Sequence, residues 1–440
     1  MTQEITHENL IKLRTATAQT PHATTLRNAV MTNGINAVSQ RPEAAVTLDP
    51  TYSIDLPTGE VTFQKKSGRC WLFATLNTLR HDFEQQYHVK NFELSQNYLS
   101  FWDRIEKANL FYEKILATAK KPVTDREVAF YLAGPDFDGG QFDNAAALIQ
   151  KYGLVPKSVM PETYNSDLTV EFNQTLNLKL RKDAILLRQL VADDTAAATI
   201  AKTRTDLLSQ VYRLAVYAFG EPVEKFDFSF RDADQQYHLD QALTPQSFYQ
   251  KYFNRNFEDY ITVVSSPQSS KQYQQLYSLD SQNTVVEGHP MRLLNLAPQR
   301  LKELAIDALQ KGETVWFGND VLADLDRPKG WLDRNLYDYS SLFDIDLTMS
   351  KAQRLDYRQG VVSHAMTLTG VDLVDGQPTK WKVENTWSDK VGTKGYFAMS
   401  DTWFDDYVYE VVVKKSALTP AEQALLTQAP IALAPWDALQ

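Results

Sequence analysis

Apolar residues recur at Leu72, Leu76, Leu79 and Phe83, the spacing of one buried helix face. The pattern predicts a helix from Cys70 to about Tyr87, with Ser67 and Gly68 leading into it. A second helix is predicted after Ser95, a good N-cap, with Tyr98, Phe101, Trp102, Ile105 and Leu110 on its apolar face. A third runs from Phe142 to Tyr152 and stops at Gly153. Short helices are expected at Asn9 to Ala18 and Thr25 to Ser39, before an extended, turn-rich stretch. Leu176 to Phe219 reads as long and helix-rich, closed by Gly220, with shorter helices at Gln246 to Phe253 and Arg300 to Gln310. Phe226 to Thr244 is aromatic and polar without a clear period.

Beyond Val315 the period becomes two. Val362, His364, Met366 and Leu368 point one way. After a turn at Asp375 to Pro378, Trp381, Val383, Asn385 and Trp387 share one face of the next strand. Strands at Tyr396 to Met399 and Tyr409 to Lys414 follow, and successive strands with short turns argue an antiparallel sheet or barrel. The chain thus divides into an N-terminal arm (1–60), a helical half (61–165), a mainly helical insertion suited to architecture or assembly (166–315), a β half (316–415) and a C-terminal arm (416–440). The class is α+β. The tail from Gln428 to Gln440 carries Ile431, Leu433, Trp436 and Leu439 with Asp437 as its one charged side chain. Disordered tails are normally polar, so this one is expected to dock in a groove.

Composition narrows the partners. The 440 residues carry a net charge of −10, and the basic clusters are short: Lys65-Lys66 with Arg69, Lys120-Lys121 and Lys414-Lys415. A nucleic-acid partner would want a basic face, so none is expected. No run of about 18 apolar residues occurs, so no membrane span is expected, and the start has no secretory pattern. A single cysteine excludes an intramolecular disulfide and a cysteine-cluster metal site, and fits a reducing, cytoplasmic compartment. His7, His22, His81, His88, His238 and His289 show no ligand spacing, so neither metal nor cofactor is expected.

That one cysteine sits where chemistry favours it. In the first turn of a helix, unpaired N–H groups and the helix dipole stabilise negative charge. There, or beside a cationic histidine, a thiol pKa can fall from about 8.5 to roughly 3.5–7.5. Gln64, six residues earlier, can fold back and donate to a developing oxyanion, with the Cys70 N–H as second donor. His364 and Asn385 lie 21 positions apart on adjacent strands. The asparagine carbonyl can accept the imidazole N–H and orient the ring, and Trp387 on the same face can shield that bond from water. Gly139-Gly140, before the third helix, allows a tight turn and close backbone approach by a ligand.

Together these residues resemble the papain-like cysteine peptidases, and among them the bleomycin hydrolase and bacterial aminopeptidase C branch. The resemblance rests on Gln64 to Ala74, Phe92 to Tyr98, Asp138-Gly139-Gly140-Gln141, Lys151 to Pro156, Ser363-His364-Ala365-Met366 and Glu384-Asn385-Thr386-Trp387. It implies a papain-like fold hydrolysing peptides, with Cys70 as nucleophile, His364 as general acid and base, Asn385 as orienter, Gln64 as oxyanion donor, and Gly139 and Gly140 holding substrate backbone. The 294 positions between Cys70 and His364 exceed the papain spacing of about 130–150 by a helical insertion, which the resemblance ties to a homohexamer. It also implies that the C-terminal arm lies in the cleft, where the carboxylate of Gln440 pairs with a substrate's ammonium and gives aminopeptidase action. The arm reads as a few residues short, which leaves endopeptidase action as an alternative. A non-catalytic scaffold on the same fold is the alternative of another class. Thr386 stands where serine is usual and Phe63 where asparagine often precedes the glutamine; neither is expected to touch a catalytic role.

Overall fold

In the computed structural model, which describes residues 3–439, the backbone turns helical at Cys70 and stays so to Tyr87, as the apolar spacing predicts. Leu72, Leu76, Leu79 and Phe83 join the helices Gln96–Ala117 and Phe142–Tyr152 in one apolar core. Ser95 caps the second helix by accepting the Tyr98 N–H at 3.0 Å. Gly153 ends the third at φ 73°, and a Cβ there would fall 2.4 Å from the Pro245 backbone, so only glycine fits.

The long insertion resolves into two helices, Val170–Ala192 and Ala197–Phe219, which bury Leu176, Leu180, Leu187, Val211 and Ala215 in the same core. Phe226–Arg231 and Tyr237–Leu243 pair as an antiparallel hairpin, so the stretch that showed no period is a two-stranded sheet. Three further strands, Tyr260–Val264, Gln275–Ser278 and Arg292–Asn295, arise inside the segment expected to be mainly helical, and they join the main sheet. Tyr260–Val264 is buried along almost its whole length and shows no alternation.

The main sheet is antiparallel at its centre. Tyr260–Val264, Val408–Lys414, Val315–Asn319, His364–Val374, Gln377–Glu384 and Tyr396–Ser400 follow one another in that order. Its margins are mixed: Tyr260–Val264 runs parallel to Arg292–Asn295, and Tyr396–Ser400 parallel to Trp331–Leu332. Phe317, Met366, Leu368, Trp381, Val383 and Val411 fill a second core on one side of it. The two cores meet along the Cys70 helix, where the Trp316 indole donates to the Trp71 carbonyl at 3.3 Å.

The C-terminal arm docks. Ile431-Ala432 adds a short parallel strand to Gln275–Ser278, and the Leu433 N–H continues the ladder to the Ser278 carbonyl at 2.8 Å. Asp437 pairs with Lys271 at 2.9 Å, and Leu439 is fully buried with Tyr277, Met291 and Leu293. Gln440 lies outside the described residues. Among the described residues no helix is long and apolar enough to cross a membrane.

Candidate active site

Cys70 opens its helix against the strand end that carries His364, and both line one cleft of about 640 Å³ together with Gln64, Gly139, Gly140 and Trp387. Every cleft residue singled out in the sequence, Gln440 apart, is therefore in one place. His364 is the first residue of its strand, and Thr367 pairs with Glu384 on the neighbouring strand. Asn385 follows Glu384, just past that strand's end rather than within it. The imidazole Nε2–H donates to the Asn385 Oδ1 at 2.9 Å, which leaves Nδ1 as the ring's basic nitrogen. The Trp387 ring covers the pair, its centroid 4.9 Å from that of the imidazole.

Burial sets the protonation of the resting site. It pushes the Cys70 thiol up to about 11, against the opposing N–H groups of Ala365, Trp71 and Cys70 itself. It pushes the His364 imidazole down to about 4, against the Asn385 hydrogen bond, and the positive charge of Arg327 acts in the same downward sense. The low thiol pKa expected from the helix N-terminus does not appear, because desolvation of both groups outweighs the dipole. The resting pair is a neutral thiol beside a neutral imidazole, with the sulfur drawn to the N–H of the residue after His364.

Gln64 is held at three points. Its N–H donates to the Thr386 carbonyl at 2.9 Å, its Nε2 to the Ser67 carbonyl at 2.6 Å, and its Oε1 accepts the Thr386 hydroxyl at 2.5 Å. One amide hydrogen remains for the cleft. Thr386 thus fixes which way the amide faces, contrary to the expectation that this position lies apart from the chemistry. We expect Thr386→Val to lower kcat about tenfold with little change in KM, and Thr386→Ser to restore it, since an oxyanion donor is worth about 10²–10³ when lost outright. Equal kcat for the valine and serine variants would remove Thr386 from this role.

The glycine turn is locked to the nucleophile's loop. Asp138 accepts the Gly68 N–H at 2.7 Å and the Asn173 amide at 2.8 Å, and pairs with Arg104; its carbonyl accepts the Trp71 indole N–H at 2.7 Å. Burial alone would raise this carboxyl, but Arg104, Thr169 and Gly68 hold it well below the usual range. A Cβ on Gly140 would fall 2.7 Å from the Trp71 ring, so the turn can lie this close only with glycine. Lys107, buried, donates to the Gly139 carbonyl at 2.6 Å and the Phe137 carbonyl at 2.8 Å. The roles of Asp138, Lys107 and Thr386 escape sequence reading, although Asp138 and Thr386 stand inside the motifs that carry the resemblance.

Residues 4–440 match the Peptidase C1-like family. Aminopeptidase C of Lactobacillus delbrueckii subsp. lactis is 44% identical over 440 residues, covering 99% of this chain and 98% of its own. Aminopeptidase G of the same organism is 46% identical over 100% of both chains. The crystal structure of pepw from Lactobacillus rhamnosis HN001 shares 51% identity, covers 100% of this chain and 99% of its own, and superposes with a TM-score of 0.98.

Proposed function

The chain belongs to the Peptidase C1-like family and is a cysteine peptidase of the aminopeptidase C and bleomycin hydrolase kind, and from that premise we propose that it releases N-terminal residues from peptides through Cys70, His364 and Asn385. The observation that carries the proposal is the 2.9 Å bond from His364 to Asn385 in the cleft that Cys70 and Gln64 line. The imidazole Nδ1 takes the thiol proton as sulfur attacks the scissile carbonyl carbon. Gln64 and the Cys70 N–H receive the oxyanion. The imidazolium then gives its proton to the leaving amine, the C–N bond breaks, and a thioester remains on Cys70. Water, deprotonated by the same ring, attacks that thioester and returns the thiol.

The course of the C-terminal arm supports exo-cleavage. Leu439 is buried in a cluster against which Val362 of the cleft wall also packs. Trp436 lies against Phe130, another cleft residue, with Arg126 4.0 Å above its ring. The arm is proposed to place the Gln440 carboxylate at the acyl end of the cleft. One observation favours the endopeptidase reading instead: among the described residues, none of the arm itself lines the cleft. Hydrolysis of one peptide with a free or an acetylated N-terminus separates them. Stepwise release of single residues from the free peptide alone is expected; internal cleavage of the acetylated peptide at a comparable rate overturns it.

A homohexamer in the cytoplasm is proposed as the working form. Exposed Leu178, Ile185 and Tyr217 on the insertion helices support subunit contacts, and a single free cysteine suits a reducing compartment.

A further inference from the structure

Two cations that the mechanism does not use stand around Trp387, just outside the lining of the cleft. Arg327 is exposed and stacks its guanidinium 4.3 Å from the centroid of Trp387, whose ring also lies 4.9 Å from the His364 imidazole. The guanidinium is therefore within the sum of those distances, about 9 Å, of the imidazole. Phe63 forms an antiparallel bridge with Trp387, and Lys65, also exposed, holds its ammonium 4.1 Å from the Phe63 centroid. Among the described residues neither cation has an ion-pair partner within 4 Å, although the chain has a net charge of −10 and most of its buried cations are paired.

Direction along the cleft follows from chemistry. The acyl half of a substrate meets Gly139-Gly140, and the leaving amine must face His364, so residues after the scissile bond run past Trp387. An extended chain advances about 3.3–3.6 Å per residue, which brings a carboxylate on the first or second leaving-side residue to the depth of Arg327. A guanidinium held over an aromatic ring by its carbon leaves N–H donors free for a two-point grip on a carboxylate.

We propose that Arg327 and Lys65, mounted on Trp387 and Phe63, form an anion-receiving subsite for a carboxylate on the leaving side of the substrate. The carboxylate is the peptide's own C-terminus in a short substrate or an acidic side chain one or two residues past the scissile bond. Phe63, which departs from the resembling family's asparagine, supplies half of the platform.

The subsite rests on the peptidase reading for its placement, and the test keeps the two apart. Three tripeptides are compared: one ending in a free carboxylate, its C-terminal amide, and an amide with glutamate next to last. Hydrolysis is followed with the intact enzyme, and binding by calorimetry with Cys70→Ala protein, where no turnover is needed. The carboxylate peptides are expected to exceed the plain amide by about five- to tenfold in kcat/KM and in affinity, the difference lying in KM and shrinking as salt is raised. Arg327→Gln with Lys65→Gln should bring the ratio close to one, and Arg327→Lys should restore part of it. If only the C-terminal acid gains, the subsite reads the chain end; if only the glutamate peptide gains, it reads a side chain. Equal binding of all three by Cys70→Ala protein, or a preference that survives the double substitution, overturns the subsite. Failure of the intact enzyme to cut any of them sinks the peptidase reading while the binding ratio still decides the subsite.

Discussion

Cys70→Ala should abolish peptide hydrolysis, with turnover falling by about 10⁵–10⁶-fold, the scale seen when the nucleophile of a catalytic triad is removed. The sulfur is the chain's only thiol, and it lines the same cleft as the imidazole that activates it. His364 has no second thiol to activate. Residual catalysis from Gln64 and the backbone donors, acting on water directly, accounts for what remains. Stability should barely change. Cys70 is small, and its thiol rests neutral, pushed up to about 11, so no buried ion pair is broken. Loss of one buried sulfur from a well-packed site costs about 1 kcal/mol. The check is steady-state hydrolysis of a free-N-terminus peptide beside a thermal melt. Turnover near that of the parent protein, with the melt unchanged, would refute sulfur nucleophilicity.

What could be read along the chain is what local chemistry dictates. The Cys70 helix and the Gly153 stop follow from spacing and from glycine's access to positive φ. His364, Asn385 and Trp387 stand out because three polar or amphipathic groups share an otherwise apolar face. What could not be read depends on partners distant in sequence. Asp138 gains its role from an N–H 70 positions away, and Thr386 from an amide 322 positions away. The strand Tyr260–Val264 carries no alternation because it is buried on both faces. The hairpin is different: Phe226, Phe228 and Phe230 do alternate, but the facing strand Tyr237–Leu243 is mostly exposed and polar, and a hairpin needs the signal in both arms.

Glu384, one position before Asn385, carries the largest expected stability effect. Its buried carboxylate accepts Arg80 at 2.8 Å and His81 at 2.6 Å, and both partners are on the Cys70 helix. The network therefore joins the helix that presents the sulfur to the strand end that presents the asparagine. Glu384→Gln keeps the shape and one acceptor oxygen but removes the charge, leaving Arg80 with neutral acceptors such as the Glu60 carbonyl. Breaking a buried pair from one side costs about 3–5 kcal/mol, so the melting temperature should fall by several degrees. The pH dependence distinguishes lost charge from lost packing. Burial alone would raise the Glu384 carboxyl, but His81 and Arg80 hold it below its ordinary value. Its contribution is present above the unfolded carboxyl value, about 4.3, and is lost as pH falls through the lower folded one. Burial alone would lower His81, but Glu384 holds it above its ordinary value. That contribution is complete below about 6.5 and is lost as pH rises through the higher folded value. The gap in melting temperature between parent and Glu384→Gln should accordingly be widest between about pH 4.3 and 6.5 and narrow on both sides. A gap constant from pH 4 to 9 would mean that packing, not charge, is what the substitution removes. Because the same network ties the Cys70 helix to the strand end that presents Asn385, kcat should fall with the melting temperature, by up to about 100-fold for a displacement near 1 Å.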